Sequence, residues 1–169
     1  MLTLKELNQL PEIEFTNTLG SIFEHSPWVA KQTYEFRPFE SVDSLLQYMF
    51  DLVKQSPQAD RLKLICNHPQ LAGKEAEQGT LTDHSQKEQT CAGLNHCTAE
   101  ELAQLQSLNQ QYLDKFGFPF VIAVKGLTRH DILASMQERI NNPLEQEFDS
   151  CIEQIGRIAE FRLKELITD

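Results

Sequence analysis

Apolar residues recur at steps of three and four positions along much of the chain. The clearest stretch runs from Leu102 to Phe116, and Gly117 follows it directly. This spacing places apolar side chains on one face of a helix, and glycine is favoured just after a helix ends. Comparable patterns predict further helices over residues 13–24, 42–55, 58–66, 83–94, 129–140 and 143–167.

Two helix starts carry the capping-box pattern, in which a hydroxyl and a carboxylate three residues apart each bind a free backbone N–H. The pairs are Thr3 with Glu6 and Thr98 with Glu101. No repeat or linker interrupts the chain, and its glycines and prolines are spaced for short connections. We therefore expect one compact domain over residues 1–169.

One apolar run does not fit a helix. Residues 118–124 read Phe-Pro-Phe-Val-Ile-Ala-Val, and no second strand signal accompanies them. A lone strand has no partner for its backbone, and proline cannot donate a ladder hydrogen bond. The sequence thus predicts an all-α fold with a buried extended connection around residues 117–125.

The last predicted helix carries an arginine on its apolar face. Phe148, Ile152, Ile155 and Ala159 form a stripe at steps of four and three that continues to Arg162. A guanidinium cannot lose its charge, so a buried one needs a paired acid or an anionic or carbonyl-rich ligand. An arginine that reaches the surface or holds a structural carboxylate explains the position as well as a ligand does.

His68 stands before Pro69, and a residue in that position is disfavoured in helical conformation. The preceding helix should therefore end just before His68, which leaves an imidazole at a helix terminus. With an ordinary pKa near 6.5, a histidine can transfer protons at neutral pH. By itself, however, such a histidine is more often a capping or surface residue.

Three polar side chains share one face of the helix predicted over residues 83–94. Ser85, Glu88 and Gln89 lie at positions i, i+3 and i+4, so they point the same way. A solvated face accounts for them as well as a binding site does.

Composition removes several classes of function. Fifteen Lys and Arg against 25 Asp and Glu give a formal net charge of −10, which repels nucleic acids and anionic membrane surfaces. No apolar run approaches the roughly 20 residues of a membrane-spanning helix. The polar Lys5 and Glu6 interrupt the N-terminus, so we expect no secretion signal and a cytoplasmic protein.

The sequence does not favour a metal or nucleotide site. Its four cysteines and five histidines lack the Cys-x2-Cys and His-Glu-x2-His spacings of common metal sites. It also lacks the glycine-rich loops that bind nucleotide phosphates. We expect no bound metal and free cysteine thiols in a reducing compartment.

Several motifs in order resemble a known family. They are His-Pro-Gln-Leu-Ala-Gly-Lys at 68–74, Ser85 with Glu88 and Gln89, Ala-Gly-Leu at 92–94, the segment 115–126, and Arg162-Leu163. Together they closely resemble the 2-oxo-4-hydroxy-4-carboxy-5-ureidoimidazoline (OHCU) decarboxylases of urate breakdown, essentially from end to end. Gln70 and Asn95 depart from the acidic residues common in that family, which affects only local capping or loop details.

The resemblance implies a cofactor-independent, stand-alone decarboxylase that forms (S)-allantoin, with an all-α fold and a homodimeric assembly. It assigns His68 and Glu88 as catalytic. The residues it assigns to substrate binding are Pro69, Ser85, Gln89, Phe120, Ile122, Ala123, Val124 and Arg162. Backbone N–H groups of residues 122–124, unpaired by any sheet, are expected to donate to the ligand.

Two other interpretations remain open from the residues alone. An acidic helical domain with an apolar groove can serve as a non-catalytic module that recruits a basic partner. A hydrolase that binds metal through His and Cys is an enzyme of another class. Turnover that depends on His68 excludes the first, and a chelator control separates the second.

Overall fold

Helices make up almost all of the regular structure. The computed structural model describes all 169 residues, with ten α-helices and one pair of two-residue strands. The elements are β1 (Leu2–Thr3), α1 (Leu4–Gln9), α2 (Glu12–Leu19), α3 (Pro27–Thr33), α4 (Val42–Gln55), α5 (Gln58–Cys66), α6 (Lys74–Gln78), α7 (Asp83–Cys91), α8 (Ala99–Phe116), α9 (Arg129–Arg139), α10 (Leu144–Leu166) and β2 (Ile167–Thr168). Short 3-10 turns cover Tyr34–Phe36 and Leu94–His96. The predicted all-α class is confirmed.

Local sequence signals set most helix ends. Helices α4 and α5 begin and end at the predicted residues, and α9 and α10 lie within one residue of prediction at each end. Helix α8 ends at Phe116 because Gly117 adopts a φ of 77°, which favours glycine. The capping box of α1 forms as predicted. At α8 the Thr98 hydroxyl accepts the Glu101 N–H, but the Glu101 carboxylate pairs with Arg129 instead.

Two predicted helices are too long. The helix predicted over 13–24 ends at Leu19, and the chain then turns through His25, with a φ of 47°, into the unpredicted α3. The turn buries Ile22 and Phe23, so the apolar pattern continues beyond the helix that it indicated. The helix predicted over 83–94 ends at Cys91 because Gly93 adopts a φ of 75°. Helix α6 and the strand pair were also not predicted.

The chain divides into two compact units. The first contains Met1–Asn67 and Ile155–Asp169. Helices α2, α3 and α4 pack its core, and β1 pairs with β2 in parallel, Leu2 opposite Ile167. Its most deeply buried side chains include Leu7, Phe15, Leu19, Ile22, Phe23, Leu45, Met49, Leu64 and Ile65.

The second unit is His68–Gln154. An aromatic cluster lies at its centre, where Tyr112 contacts Phe116, Phe118 and Phe120 at ring-centroid distances of 4.5, 6.0 and 5.3 Å. Rings at such distances gain attraction beyond the apolar area that they bury. The prediction of a single domain over 1–169 stays a prediction.

The non-helical connection predicted around residues 117–125 is present. Residues 118–124 form neither helix nor strand, and all of them are buried except Ile122, which is half-buried. This segment joins α8 to α9 and supplies several of the predicted site residues. None of the helices combines the length and apolar composition needed to span a bilayer.

Candidate active site

His68 begins the loop that follows α5. The helix ends at Cys66 and Asn67 caps it, as the proline after His68 predicts. The His68 side chain is only 7% exposed and Pro69 is half-buried. The imidazole is therefore held inside the protein, unlike the surface histidine that a helix end alone would suggest.

Two amide side chains connect this loop to α7 and α8 through hydrogen bonds. The Gln89 Oε1 of α7 accepts the Ala72 N–H at 2.9 Å, and the Asn109 Nδ2 of α8 donates to the Leu71 carbonyl at 2.9 Å. Ala72 adopts a φ of 48°, a conformation that costs an alanine about 1–2 kcal/mol. These bonds offset that strain and bring the His68 loop to the helix that carries Ser85, Glu88 and Gln89.

Helix α7 presents a polar face where other helices are apolar. Thr82 caps its N-terminus by accepting the Ser85 N–H at 3.3 Å. Ser85 and Gln89 are buried and Glu88 is half-buried, although the helix contains no large apolar residue. A solvated face does not explain buried polar groups, because their removal from water needs compensation by hydrogen bonds.

Side chains of α9 and α10 form hydrogen bonds with the backbone of segment 118–124. The Val121 carbonyl accepts from Arg139 Nη1 at 2.8 Å, and the Ala123 N–H donates to Gln154 Oε1 at 2.9 Å. No sheet pairs these backbone groups, as expected, but a helix side chain takes the Ala123 N–H, which leaves it unavailable as the expected donor to a ligand. The N–H groups of Ile122 and Val124 make no hydrogen bond within the protein.

Phe120 is fixed by packing. Its ring is 1% exposed, lies 5.3 Å from Tyr112 and has the Arg139 guanidinium 4.3 Å from its centroid. The side chain belongs to the core, so any contact of this residue with a ligand would use its backbone.

Arg162 lies in the first unit. It is 2% exposed, as the apolar stripe of α10 predicts, and its Nη1 lies 2.7 Å from Glu24 Oε2. The same nitrogen lies 3.4 Å from the carbonyls of Ser21 and Ile22. The structural carboxylate considered as an alternative is thus present, and it neutralises a guanidinium that burial alone would disfavour.

Several buried polar residues were not predicted from the sequence. Glu24, Glu147 and Arg139 take part in buried or half-buried ion pairs. Glu147 comes directly before the apolar stripe of α10 and Glu24 lies in a predicted helix, and neither position carries a periodic signal. An acidic residue next to a core stripe was the only sign available for Glu147.

No three His, Cys, Asp or Glu side chains are grouped so that they could hold a metal ion. Burial raises the pKa of the Cys66 thiol and that of Cys97, where Glu101 adds to the effect. Both shifts disfavour the thiolate, which is the form that binds metals.

Comparison with known proteins assigns the family. A family profile described as OHCU decarboxylase matches residues 8–164. The chain is 43% identical over 172 residues to the uric acid degradation bifunctional protein of Bacillus sp. (strain TB-90), a match that covers all of this chain and 33% of that protein. It is 39% identical over 165 residues to the 2-oxo-4-hydroxy-4-carboxy-5-ureidoimidazoline decarboxylase of Halalkalicoccus jeotgali, which covers 98% of this chain and 92% of that protein.

A solved structure agrees with these relatives. The crystal structure of (S)-allantoin synthase aligns with a TM-score of 0.79 and 33% identity over 99% of this chain and 54% of that one. The chain therefore spans a third of the bifunctional relative and about half of the crystallised protein. The profile match over most of the chain and the relative of nearly equal length lead to one assignment: the chain belongs to the OHCU decarboxylase family.

Proposed function

We propose that this protein decarboxylates OHCU to (S)-allantoin in the breakdown of urate. The observation that carries the proposal is the buried His68, on a loop bonded to the helix with Ser85, Glu88 and Gln89, in a chain of this family. The archaeal relative of nearly equal length is named for this decarboxylation and the Bacillus relative for uric acid degradation.

The substrate provides its own electron sink. One ring carbon of OHCU bears a hydroxyl and a carboxylate, and the adjacent ring carbon is doubly bonded to nitrogen. When the bond to carbon dioxide breaks, its electron pair forms a carbon–carbon double bond and the imine nitrogen gains a proton. The resulting enol becomes allantoin when the hydroxyl loses its proton and the adjacent carbon gains one. No electron-accepting cofactor is required for this sequence.

His68 and Glu88 would serve the proton transfers. His68 takes the hydroxyl proton or donates the returning one, and Glu88 holds ring N–H or hydroxyl groups and relays a proton. Delivery of the proton to one face of the ring makes the product a single enantiomer. A positioned acid or base contributes about 10²–10⁴-fold in rate.

The other proposed residues would orient the substrate. Gln89 already accepts the Ala72 N–H through Oε1, so its Nε2 is the group that donates to a ligand. Ser85 and Pro69 line the same site, and the backbones of Phe120, Ile122, Ala123 and Val124 form one wall. Arg162 holds a carbonyl or carboxylate oxygen through its planar guanidinium.

The assembly and location that accompany this activity are a homodimer in the cytoplasm. The resemblance to the family supports the homodimer, and the four free cysteines fit the reducing environment of the cytoplasm. The chain has a mass of 19.4 kDa, so sedimentation equilibrium should return twice that value. A monomer at micromolar concentration would contradict the dimer and leave the decarboxylation proposal intact.

Circular dichroism of freshly generated OHCU tests the activity. Urate oxidase and hydroxyisourate hydrolase supply the substrate, which decays slowly without a catalyst. We expect the wild-type protein to accelerate the appearance of the (S)-allantoin signal, and His68→Asn to lose about 10²–10⁴-fold of that rate. His96→Ala is the matched control, because His96 is an exposed histidine outside the site.

Two outcomes would contradict the proposal. Racemic product at the background rate from folded wild-type protein would favour the non-catalytic interaction module. Loss of activity on chelation, with recovery on addition of zinc, would favour the metal-dependent alternative.

A further inference from the structure

A buried cluster of polar side chains lies against segment 118–124, and the proposed mechanism does not use it. We call it the Glu147 cluster, and it consists of Tyr112, Arg139, Asn142, Glu147 and Cys151. The Glu147 side chain is fully buried and that of Arg139 is 13% exposed. A charged pair so far from water is costly unless each partner is fully hydrogen-bonded.

Glu147 has a complete set of donors. Its Oε1 accepts from Tyr112 Oη at 2.6 Å, from Arg139 Nε at 2.8 Å and from Arg139 Nη2 at 2.7 Å. Its Oε2 accepts from Asn142 Nδ2 at 3.0 Å. The carboxylate therefore fixes Arg139 in one orientation.

Tyr112 and Arg139 also keep one protonation state. Burial raises the pKa of the Tyr112 hydroxyl far above its ordinary value, with Cys151 and Glu147 adding to the shift, so the phenol remains a donor. Burial alone would lower the pKa of Arg139, but the hydrogen bond to Glu147 and the acidic neighbours raise it, so the guanidinium remains charged. Neither the phenol nor the guanidinium therefore changes its charge near neutral pH.

Arg139 connects this cluster to the segment. Its Nη1 donates to the Val121 carbonyl at 2.8 Å. The Val121 carbonyl and the Ile122 N–H belong to one planar trans peptide and point in opposite directions. Because Arg139 fixes the carbonyl, it also fixes the direction of the Ile122 N–H, and its charge polarises that N–H as a donor.

Gln154 acts in the same way on the next peptide. Its Oε1 accepts the Ala123 N–H at 2.9 Å, which directs the Ile122 carbonyl to the opposite side. The Ile122 N–H therefore points away from the Arg139 guanidinium, and the Ile122 carbonyl points away from the Gln154 amide. This pair complements a ureido or cyclic amide group, in which a carbonyl stands next to an N–H.

We propose that Arg139, held by Glu147 and Tyr112, and Gln154 are positioning residues that aim both backbone groups of Ile122 at the ureido or ring amide of the substrate. This inference rests on the proposed decarboxylase function. Neither residue touches the substrate, and each acts through the peptide that it holds.

The test separates substrate binding from turnover and from stability. Gln154→Met keeps the length of the side chain and removes the bond to Ala123, and Arg139→Lys cannot bind Glu147 and Val121 with the same planar fork. A lost or misdirected hydrogen bond to substrate costs about tenfold in affinity. We therefore expect each variant to raise KM about tenfold, with kcat within about threefold of wild type.

Controls distinguish this role from a structural one. Gln110→Met makes the same substitution on the exposed face of α8, where Gln110 binds only Asp114, and should leave KM unchanged. A cluster that only stabilises the fold would lower the melting temperature and the active fraction without moving KM. If the Arg139→Lys variant does not fold, the Gln154→Met variant still tests the positioning role, because Gln154 is only partly buried.

Different kinetic results would overturn the two proposals. Active wild-type protein with an unchanged KM in folded Gln154→Met overturns the positioning role alone. Wild-type protein that does not accelerate OHCU loss overturns the proposed function and this inference with it.

Discussion

Gly156 lies inside α10, where any side chain would meet Phe50. A Cβ at this position would lie 2.7 Å from the Phe50 Cζ and 2.8 Å from its Cε2. Glycine inside a helix costs about 0.5–1 kcal/mol relative to alanine, because its unfolded backbone is freer. Because Gly156 has no side chain, α4 can approach α10 closely at this point.

We expect Gly156→Ala to destabilise the protein by up to about 2 kcal/mol. Overpacking costs about 1–3 kcal/mol and the gain in helix propensity returns about 1 kcal/mol. Urea unfolding measures the difference. In a Phe50→Leu background the ring is gone, and the same change should become neutral or stabilising. If Gly156→Ala stabilises the protein that retains Phe50, the Phe50 ring moves aside freely.

Single positions were predictable where burial conflicts with charge. The stripe of α10 placed Arg162 on an apolar face and left open whether its guanidinium is buried with a partner or reaches the surface, and the structure shows it buried. The sequence could not identify Glu24 as that partner, because the two residues are 138 positions apart and only the tertiary fold joins them. Glu147 escaped prediction because its donors come from α8, α9 and the turn after α9.

The capping box of α9 contributes to stability in a way that depends on pH. The Asp131 carboxylate accepts the Thr128 N–H at 2.8 Å and the Thr128 hydroxyl at 2.9 Å. These bonds lower the pKa of Asp131 from its ordinary value of 3.8. A carboxyl whose pKa is lowered by folding stabilises the folded state above the ordinary pKa and loses that effect as the pH falls through the lowered one.

Asp131→Asn should therefore lower the melting temperature at pH 7, and the difference from wild type should shrink as the pH falls below 3.8. Thermal melts followed by circular dichroism from pH 7 to pH 3 measure it. Asp149→Asn serves as the control, because Asp149 is exposed and its carboxylate makes no hydrogen bond in the structure. A difference that grows on acidification would contradict the assigned role of the carboxylate.

Helices with a complete set of local signals were predicted well. Ser41 caps the start of α4, and Pro57 precedes α5, so both were located to the residue. The helix predicted over 13–24 extends too far, because apolar periodicity indicates burial and not helical geometry. Ile22 and Phe23 are buried by a turn, and only the pair Ser26-Pro27 indicated a new helix start.

At the scale of the whole molecule, each of the two units has its own apolar core. The sequence predicts one domain, and α10 supplies residues to both units, since Leu144–Leu166 continues across the boundary after Gln154. Unfolding of either unit would break this helix. The division into units could not have been predicted, because no linker or change in composition marks it.

We therefore expect a single cooperative unfolding transition. The only tryptophan, Trp28, belongs to the first unit, where it lines a cleft of about 420 Å³ with Asp60 and Lys63. Its fluorescence follows that unit alone, whereas far-ultraviolet circular dichroism follows all the helices. Coincident urea midpoints from the two signals indicate one cooperative domain. Two separated midpoints would contradict the single-domain prediction.

The hydrogen bonds that hold segment 118–124 also determine how quickly its amide hydrogens exchange with solvent deuterium. A segment without secondary structure ordinarily exchanges fast along its whole length. Here Ala123 is bonded to Gln154, whereas Ile122 and Val124 make no such bond. Neighbouring amides should therefore differ, slow at Ala123 and fast at Ile122 and Val124. A bound ligand that accepts hydrogen bonds from the Ile122 and Val124 N–H groups would slow their exchange to the rate at Ala123. Exchange measured with and without a ligand would therefore show which backbone groups of the segment contact the substrate.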